Sequence, residues 1–261
     1  MNIPHDYYIK FTNNRVYKET LEFHCKSNFT IHEATRHYST LHHIPPDELS
    51  KLTGNELELN VARSPQRESE LLIPGLDIDH CLQRNDSCVN FNEGHLGLEQ
   101  LKELLAPLLR KQGSSYKRGY PSGGALYPVE VFCCNMSPVH AWPDGANVYH
   151  LLCRSRVLEK HLINGCVESF QSIILPESNV GKPSVALVYF IYLPKALFKY
   201  RFRGYRHALM EAGSMYMLID LRCKELGLGT RPWSAFTDHQ VTKALNLNPA
   251  LFVPACIQLI G

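Results

Sequence analysis

Two short stretches concentrate residues able to do chemistry. From Lys195 to His207, the cations Lys199, Arg201, Arg203 and Arg206 alternate with Phe198, Tyr200, Phe202 and Tyr205. A lysine that is desolvated among other cations loses its proton more readily, which would make Lys199 a usable base with Tyr200 beside it as proton donor or substrate-orienting phenol. The same run also reads as a surface for a phosphate-bearing strand, or as a solvated strand end with cation–π pairs. The second stretch is Pro121-Ser122-Gly123-Gly124-Ala125-Leu126-Tyr127-Pro128, preceded by Arg118. Its prolines fix their own φ and push the residues before them towards extended geometry. Gly123 and Gly124 admit positive φ and close approach. A loop so poor in side chains and stiff at both ends reads as a backbone cradle for a flat or charged cofactor face, or as a tight turn into the following strand.

The elements that must position these stretches are mostly legible. Leu98, Leu101, Leu104, Leu105 and Leu108 repeat at helical spacing and predict a helix over 98–111, shortened by Pro107. Strands are predicted over 129–136, 147–153, 185–193 and 253–260, where β-branched and aromatic residues dominate. A helix is expected within 157–174. A long helix over 205–226 follows, its apolar stripe made of Ala208, Leu209, Ala212, Tyr216, Ile219 and Cys223, with Gly227 as its C′ terminator. Residues 1–75 read as an ill-defined extension with one strand-like alternation over 56–61. Strands and helices do not alternate regularly, so the expectation is an α+β sandwich and not a doubly wound fold.

Composition narrows the function classes. Lys and Arg outnumber Asp and Glu by 27 to 25, leaving no charge excess for a nucleic-acid face. Nine cysteines without a CxxC pair suit buried free thiols in a reducing cytosol, with the adjacent Cys133 and Cys134 on opposite faces of a strand. No apolar run is long enough to cross a bilayer and the first residues lack a secretory core, so a cytoplasmic location is expected. Thirteen histidines show no ligand spacing, and His42-His43 reads as a surface turn, so no metal is expected. A hydrolase elbow, a P-loop and a dinucleotide fingerprint are all missing; Gly227-Leu228-Gly229 lacks the third glycine and a preceding strand.

Three blocks in this order, 121–132, 196–216 and 225–233, resemble the nitroreductase-like, FMN-dependent oxidoreductases of the SagB type. The similarity is greatest to the McbC-like azoline dehydrogenase subunits of synthetases that make thiazole- and oxazole-containing microcins. It covers about residues 80–261. The resemblance implies a nitroreductase-like FMN-binding sandwich over 79–261 with a small N-terminal extension over 1–78. It also implies a homodimer with FMN at its interface, and partners in the form of a precursor peptide and cyclodehydratase subunits. The activity implied is two-electron oxidation of thiazolines and oxazolines to aromatic azoles. Residue by residue, Pro121, Ser122, Gly123, Gly124, Ala125 and the adjoining Leu126 match the loop lining the isoalloxazine, and Gly227, Leu228, Gly229 and Thr230 match a later glycine turn of the same site. Lys199 and Tyr200 match the Lys-Tyr pair used for dehydrogenation. The phosphate signature of relatives, Arg-x-Ser-x-Arg/Lys-x-Phe, is altered: Ser87 and Phe91 keep their spacing, Arg84 stands one place early, and Val89 replaces the second cation. Arg118, Arg206 and Arg231 are the other phosphate-anchor candidates. A nicotinamide-dependent nitro or flavin reductase, and a flavin-less scaffold subunit of the synthetase, remain the alternatives.

Overall fold

A computed structural model of the chain describes residues 6–28, 44–54, 73, 75–111, 113, 117–137, 142–175 and 180–261. By packing the chain divides into two units, Thr30–Gln83 on one hand and Met1–Phe29 with Arg84–Gly261 on the other. This differs from a division at residue 78, because the first helices go with the main unit. The smaller unit contains helix α3 (Pro46–Gly54), with Asp47 and Glu48 in its first turn and Lys51 in its last, which suits the helix dipole. The strand expected over 56–61 and the His42-His43 turn lie outside the described residues.

The main unit is built on a six-stranded antiparallel sheet in the order β3-β2-β1-β4-β6-β5. Its strands are β1 (Val129–Asn135), β2 (Val148–Leu152), β3 (Val157–Lys160), β4 (Val185–Tyr192), β5 (Thr230–Trp233) and β6 (Phe252–Ile260). All eight residues of β4 are buried, as an apolar run in a sheet covered on both faces requires. Cys133 and Cys134 do point to opposite faces, one into each of two apolar layers. On the first face lie α4 (Leu98–Leu105), which tightens into a 3-10 turn at Pro107, and the long α7 (Phe202–Glu225). On the second lie α5 (Val167–Ile174) and α8 (Asp238–Ala244). The observed architecture is thus the expected α+β sandwich. Pro254 stands inside β6, an interior strand, where the register shifts beside it and absorbs the missing N–H.

Two local devices set the site. Helix α6 (Leu193–Tyr200) runs directly out of β4 and breaks at Arg201, whose φ of 52° turns the chain into α7. The run expected as a rim or a strand end is therefore a helix hairpin, with Lys199 and Tyr200 in the last turn of its first arm. The two arms touch through Gly204, where a Cβ would lie 1.9 Å from the Ala196 carbonyl oxygen. Only a residue without a side chain permits that approach. Along α7 the buried stripe is Ala208, Ala212, Met215, Ile219 and Cys223, whereas Leu209, expected to join it, points outward and is 41% exposed. Gly227 closes the helix at φ 69°, with Leu228 N–H donating back to Cys223 O.

Helices α1 (Asp6–Ile9) and α2 (Asn14–Lys26) pack on the α6–α7 hairpin. Asn13 caps α2 by accepting from the N–H groups of Arg15 and Val16. The buried face of α2 is Val16, Thr20 and His24, two of them polar, which is why periodicity did not reveal it. His24 Nδ1 and Tyr205 Oη lie 2.8 Å apart and lock α2 to α7.

Candidate functional site

The Pro121–Pro128 loop is a strained, self-closed turn. Gly124, Ala125 and Tyr127 all hold positive φ (64°, 53° and 52°), a region costly for residues bearing a Cβ. The strain is held by hydrogen bonds within the loop: Arg118 N–H donates to Tyr127 Oη at 2.9 Å, and Tyr127 N–H to Ser122 Oγ at 2.9 Å. Tyr120 and Tyr127 meet edge to face at 5.6 Å. The rigidity expected from the prolines is thus supplied largely by tyrosines.

This turn sits against the end of α6. A Cβ on Gly124 would fall 2.6 Å from Tyr200 Oη and 3.1 Å from Lys199 Nζ, and one on Gly123 would fall 2.7 Å from His207 Nδ1. The fold therefore brings the glycines and the Lys-Tyr pair into one corner. Gly124 and Lys199 are exposed and Tyr200 is half-buried, leaving an open edge against which a flat group could lie. Lys199 lies 5.1 Å from the Tyr200 ring centre. Its exposure corrects the expectation of a buried lysine.

Beneath the corner, α7 contributes His207 and Glu211, which sequence reading missed. Glu211 is 2% exposed, and its Oε1 accepts the Val129 N–H at 3.2 Å. Burial pushes its carboxyl up to about 7, against the opposing pull of Ser122, Val129, Arg118 and Lys195. A glutamate in the buried stripe of a helix, one turn after a histidine, was the available signal.

The other expected residues lie elsewhere. Arg118 is turned inward, its guanidinium 4.3 Å from the Tyr127 ring centre and bonded to Tyr120 Oη at 2.8 Å, so it clamps the loop instead of offering a free anion site. The backbone donors of the Gly227–Gly229 turn are consumed by Lys224, Cys223 and Gly261 carbonyls, and Thr230 begins β5. That turn is a helix stop and strand entry, not an open cradle. Arg84 Nε donates to Asp220 Oδ2 at 2.6 Å and its Nη2 to Ser87 Oγ at 3.3 Å, while Arg231 Nη1 donates to Cys88 O at 3.0 Å. These form a second, cationic corner in which Asp220, 1% exposed, orients Arg84 with Ser87 alongside. Arg206 is exposed on α7, one residue before His207. His207 and Asp220 are separated along α7 by about 20 Å at the rise of an α-helix. One chain thus keeps the glycine/Lys-Tyr corner and the arginine corner apart.

Among the described residues, no group of three or more His, Cys, Asp or Glu is placed to hold a metal, and no helix is long and apolar enough to cross a membrane. No family model matches the chain. It is 35% identical over 255 residues to the microcin B17-processing protein McbC of Escherichia coli, covering 96% of this chain and 92% of that protein. A nitroreductase-named protein of Methanocaldococcus jannaschii is 27% identical over 164 residues, 59% of this chain and 79% of that protein. Among solved structures, a chain of the E. coli microcin synthetase McbBCD complex with truncated pro-MccB17 bound superposes with a TM-score of 0.83 at 34% identity, over 100% of this chain and 97% of that one. A nitroreductase-named protein of Ralstonia eutropha superposes at 0.57 with 21% identity, over 72% and 83% of the two chains, which speaks for the fold alone. With this identity sustained along nearly its whole length, the chain belongs to the McbC family of microcin-processing proteins, on a nitroreductase-like fold.

Proposed function

We propose that this chain is the FMN-dependent subunit that oxidises thiazoline and oxazoline rings of a precursor peptide to azoles, working as a cytoplasmic homodimer with the cyclodehydratase subunits of a synthetase. The observation that carries the reading is the contact of Gly124 with Tyr200 and Lys199. The synthetase complex that contains the McbC relative holds a truncated pro-MccB17, which supports a peptide substrate and multi-subunit partners.

The residues present fit FMN. Any side chain at Gly124 would fill the space in front of Tyr200, so the loop keeps a bare edge for the ring system. Arg84, held by Asp220, and the Ser87 hydroxyl beside it form a donor pair suited to the phosphate. Because the two corners lie about 20 Å apart on α7, one complete site needs both copies. Along the same helix Phe202, Leu209, Met210 and Met217 are exposed at helical spacing, an apolar stripe that supports a second copy packing there.

FMN, when bound, supplies the two-electron acceptor that takes the hydride. Lys199 Nζ or Tyr200 Oη takes the proton from the ring carbon derived from the peptide Cα. Dimer and substrate cover Lys199 and Tyr200, shutting water out of the corner where the proton is taken. Positioning supplies the rest of the rate, since the strained loop cannot drift from the Lys-Tyr pair.

The test uses the reconstituted synthetase and an azoline-bearing peptide, followed by mass spectrometry. The protein is expected to be yellow, to release FMN on denaturation, and to remove two hydrogens per ring; Lys199→Ala is expected to keep FMN and stop azole formation. Colourless protein would favour the scaffold alternative, and nicotinamide oxidation without ring oxidation the reductase.

A further inference from the structure

Under the Ser122–Gly124 turn lies a cavity of about 10 Å³, close to the size that admits one water, walled by Ser122, Leu126, Pro128, Tyr200, His207 and Glu211. Two buried polar atoms there have no hydrogen-bond partner, His207 Nδ1 and Glu211 Oε2. Buried polar atoms are nearly always paired, so two orphans at one cavity call for an explanation. His207 and Glu211 are one turn apart on the same face of α7, the spacing at which helix side chains meet. The His207 ring meets the Tyr200 ring edge-on, with centroids 5.0 Å apart. Tyr200, His207 and Glu211 thus line one small cavity behind the Lys199 corner.

We propose that Glu211 and His207 form a proton relay behind Tyr200, carrying the proton released at the Lys199–Tyr200 corner away from the reacting ring. This rests on the azoline-oxidation reading above. One proton leaves the substrate for the corner. The corner passes a proton to one nitrogen of His207, while Nδ1 releases its own to Glu211 Oε2 across the water-sized cavity. No electron moves along this path; a bound FMN would take the electron pair as hydride. Glu211 acts through His207 and is a positioning residue. The groups facing it are Arg118, Tyr120 and Ser122 from the loop and its approach, the Val129 N–H from β1, Lys195 from α6 and His207 from α7. Burial dominates over these, so the carboxyl exchanges its proton near neutral pH, where a relay has to work.

Glu211→Gln tests this, because the amide keeps an oxygen for the Val129 N–H but cannot carry the proton. In the FMN-loaded synthetase the substitution is expected to lower kcat about tenfold or more with KM for the peptide unchanged, and to flatten the pH dependence around neutrality. A second readout needs no turnover: infrared titration of flavin-free protein should show a protonated carboxyl band that disappears as pH rises through about 7 and is missing in Glu211→Gln. An unchanged pH profile, or a band that survives the substitution, overturns the relay. Should Glu211→Gln fail to fold, His207→Asn replaces it: a shifted carboxyl titration and a flattened profile support the relay, and neither changing overturns it. Wild-type protein that leaves azolines untouched would instead remove the functional reading. Active wild type with indistinguishable variants removes the relay alone.

Discussion

Gly124 and Tyr200 occupy one another's space: a Cβ on the glycine would sit 2.6 Å from the tyrosine hydroxyl. Gly124 also holds φ 64°, so both its conformation and its surroundings exclude a side chain. Gly124→Ala is accordingly expected to cost about 1 kcal/mol in backbone strain. The larger effect falls on the Lys-Tyr pair, whose displacement should lower single-turnover azole formation on the order of 100-fold. Thermal unfolding and rapid-quench mass spectrometry measure the two effects; a fully active variant would break the link between loop and corner.

The hairpin that carries the pair depends on Gly204 in the same way. A methyl group there meets the Ala196 carbonyl at 1.9 Å, so Gly204→Ala must push α6 off α7. Overpacking of this kind costs about 1–3 kcal/mol. Urea unfolding should report that loss, together with weaker activity at an unchanged Lys199 and Tyr200.

Glu211 makes the stability of the fold depend on pH in an unusual direction. Its carboxyl titrates at 4.5 when exposed and at about 7 in the folded chain. Between those values the folded state holds the extra proton, so the contribution is complete below 4.5 and is lost as pH rises to about 7, worth roughly 3 kcal/mol at the outside. The Tm difference between Glu211→Gln and wild type is expected to move in favour of the glutamine across that window. A flat difference would mean that the carboxyl is not shifted.

Glu130 works in the opposite sense. Burial alone would raise its carboxyl, but Lys195 Nζ at 3.5 Å and His150 Nε2 at 3.3 Å overcome it and hold the carboxyl at about 2. The stabilisation is present above 4.5 and lost as pH falls towards about 2. Since the group is partly exposed, about 1–2 kcal/mol is expected. Glu130→Gln should lower urea stability at neutral pH by that amount and converge with wild type in acid. Lys195 precedes Lys199 by one helical turn, so the same variant tests whether this ion pair steadies α6.

The apolar stripe on α7 predicts the oligomeric state. Met210 is 63% exposed and lies beside Leu209 and Arg206. Met210→Glu is expected to yield a monomer by sedimentation and to lose FMN, because the two halves of the site separate. A dimer that persists with FMN bound would place the second copy on another face.

Much of the sheet was legible because β1, β2, β4 and β6 are apolar runs whose side chains suit a pleated, buried surface. Residues such as Val16, Thr20 and His24 carried no such signal, since a helix buried through a hydroxyl and an imidazole reads as polar. Lys199 and Tyr200 were legible as chemistry, yet their element was not: alternating cations and aromatics fit a strand end, and only the turn at Arg201 makes the segment a helix hairpin. Arg118 was named as an anion candidate, and the fold turned it inward onto Tyr127.

Taken by itself, the amino-acid sequence determined that a glycine loop and a Lys-Tyr pair are present, and that the sheet can bury both faces, because residue types and spacing carry that information locally. Which groups meet was decided by tertiary structure alone: Gly124 with Tyr200, His207 with Glu211 under the loop, and Arg84 with Asp220 about 20 Å further along the same helix. Such pairings depend on the path of the chain between distant segments and on the close approach at Gly204, and neither is written in any one stretch of residues.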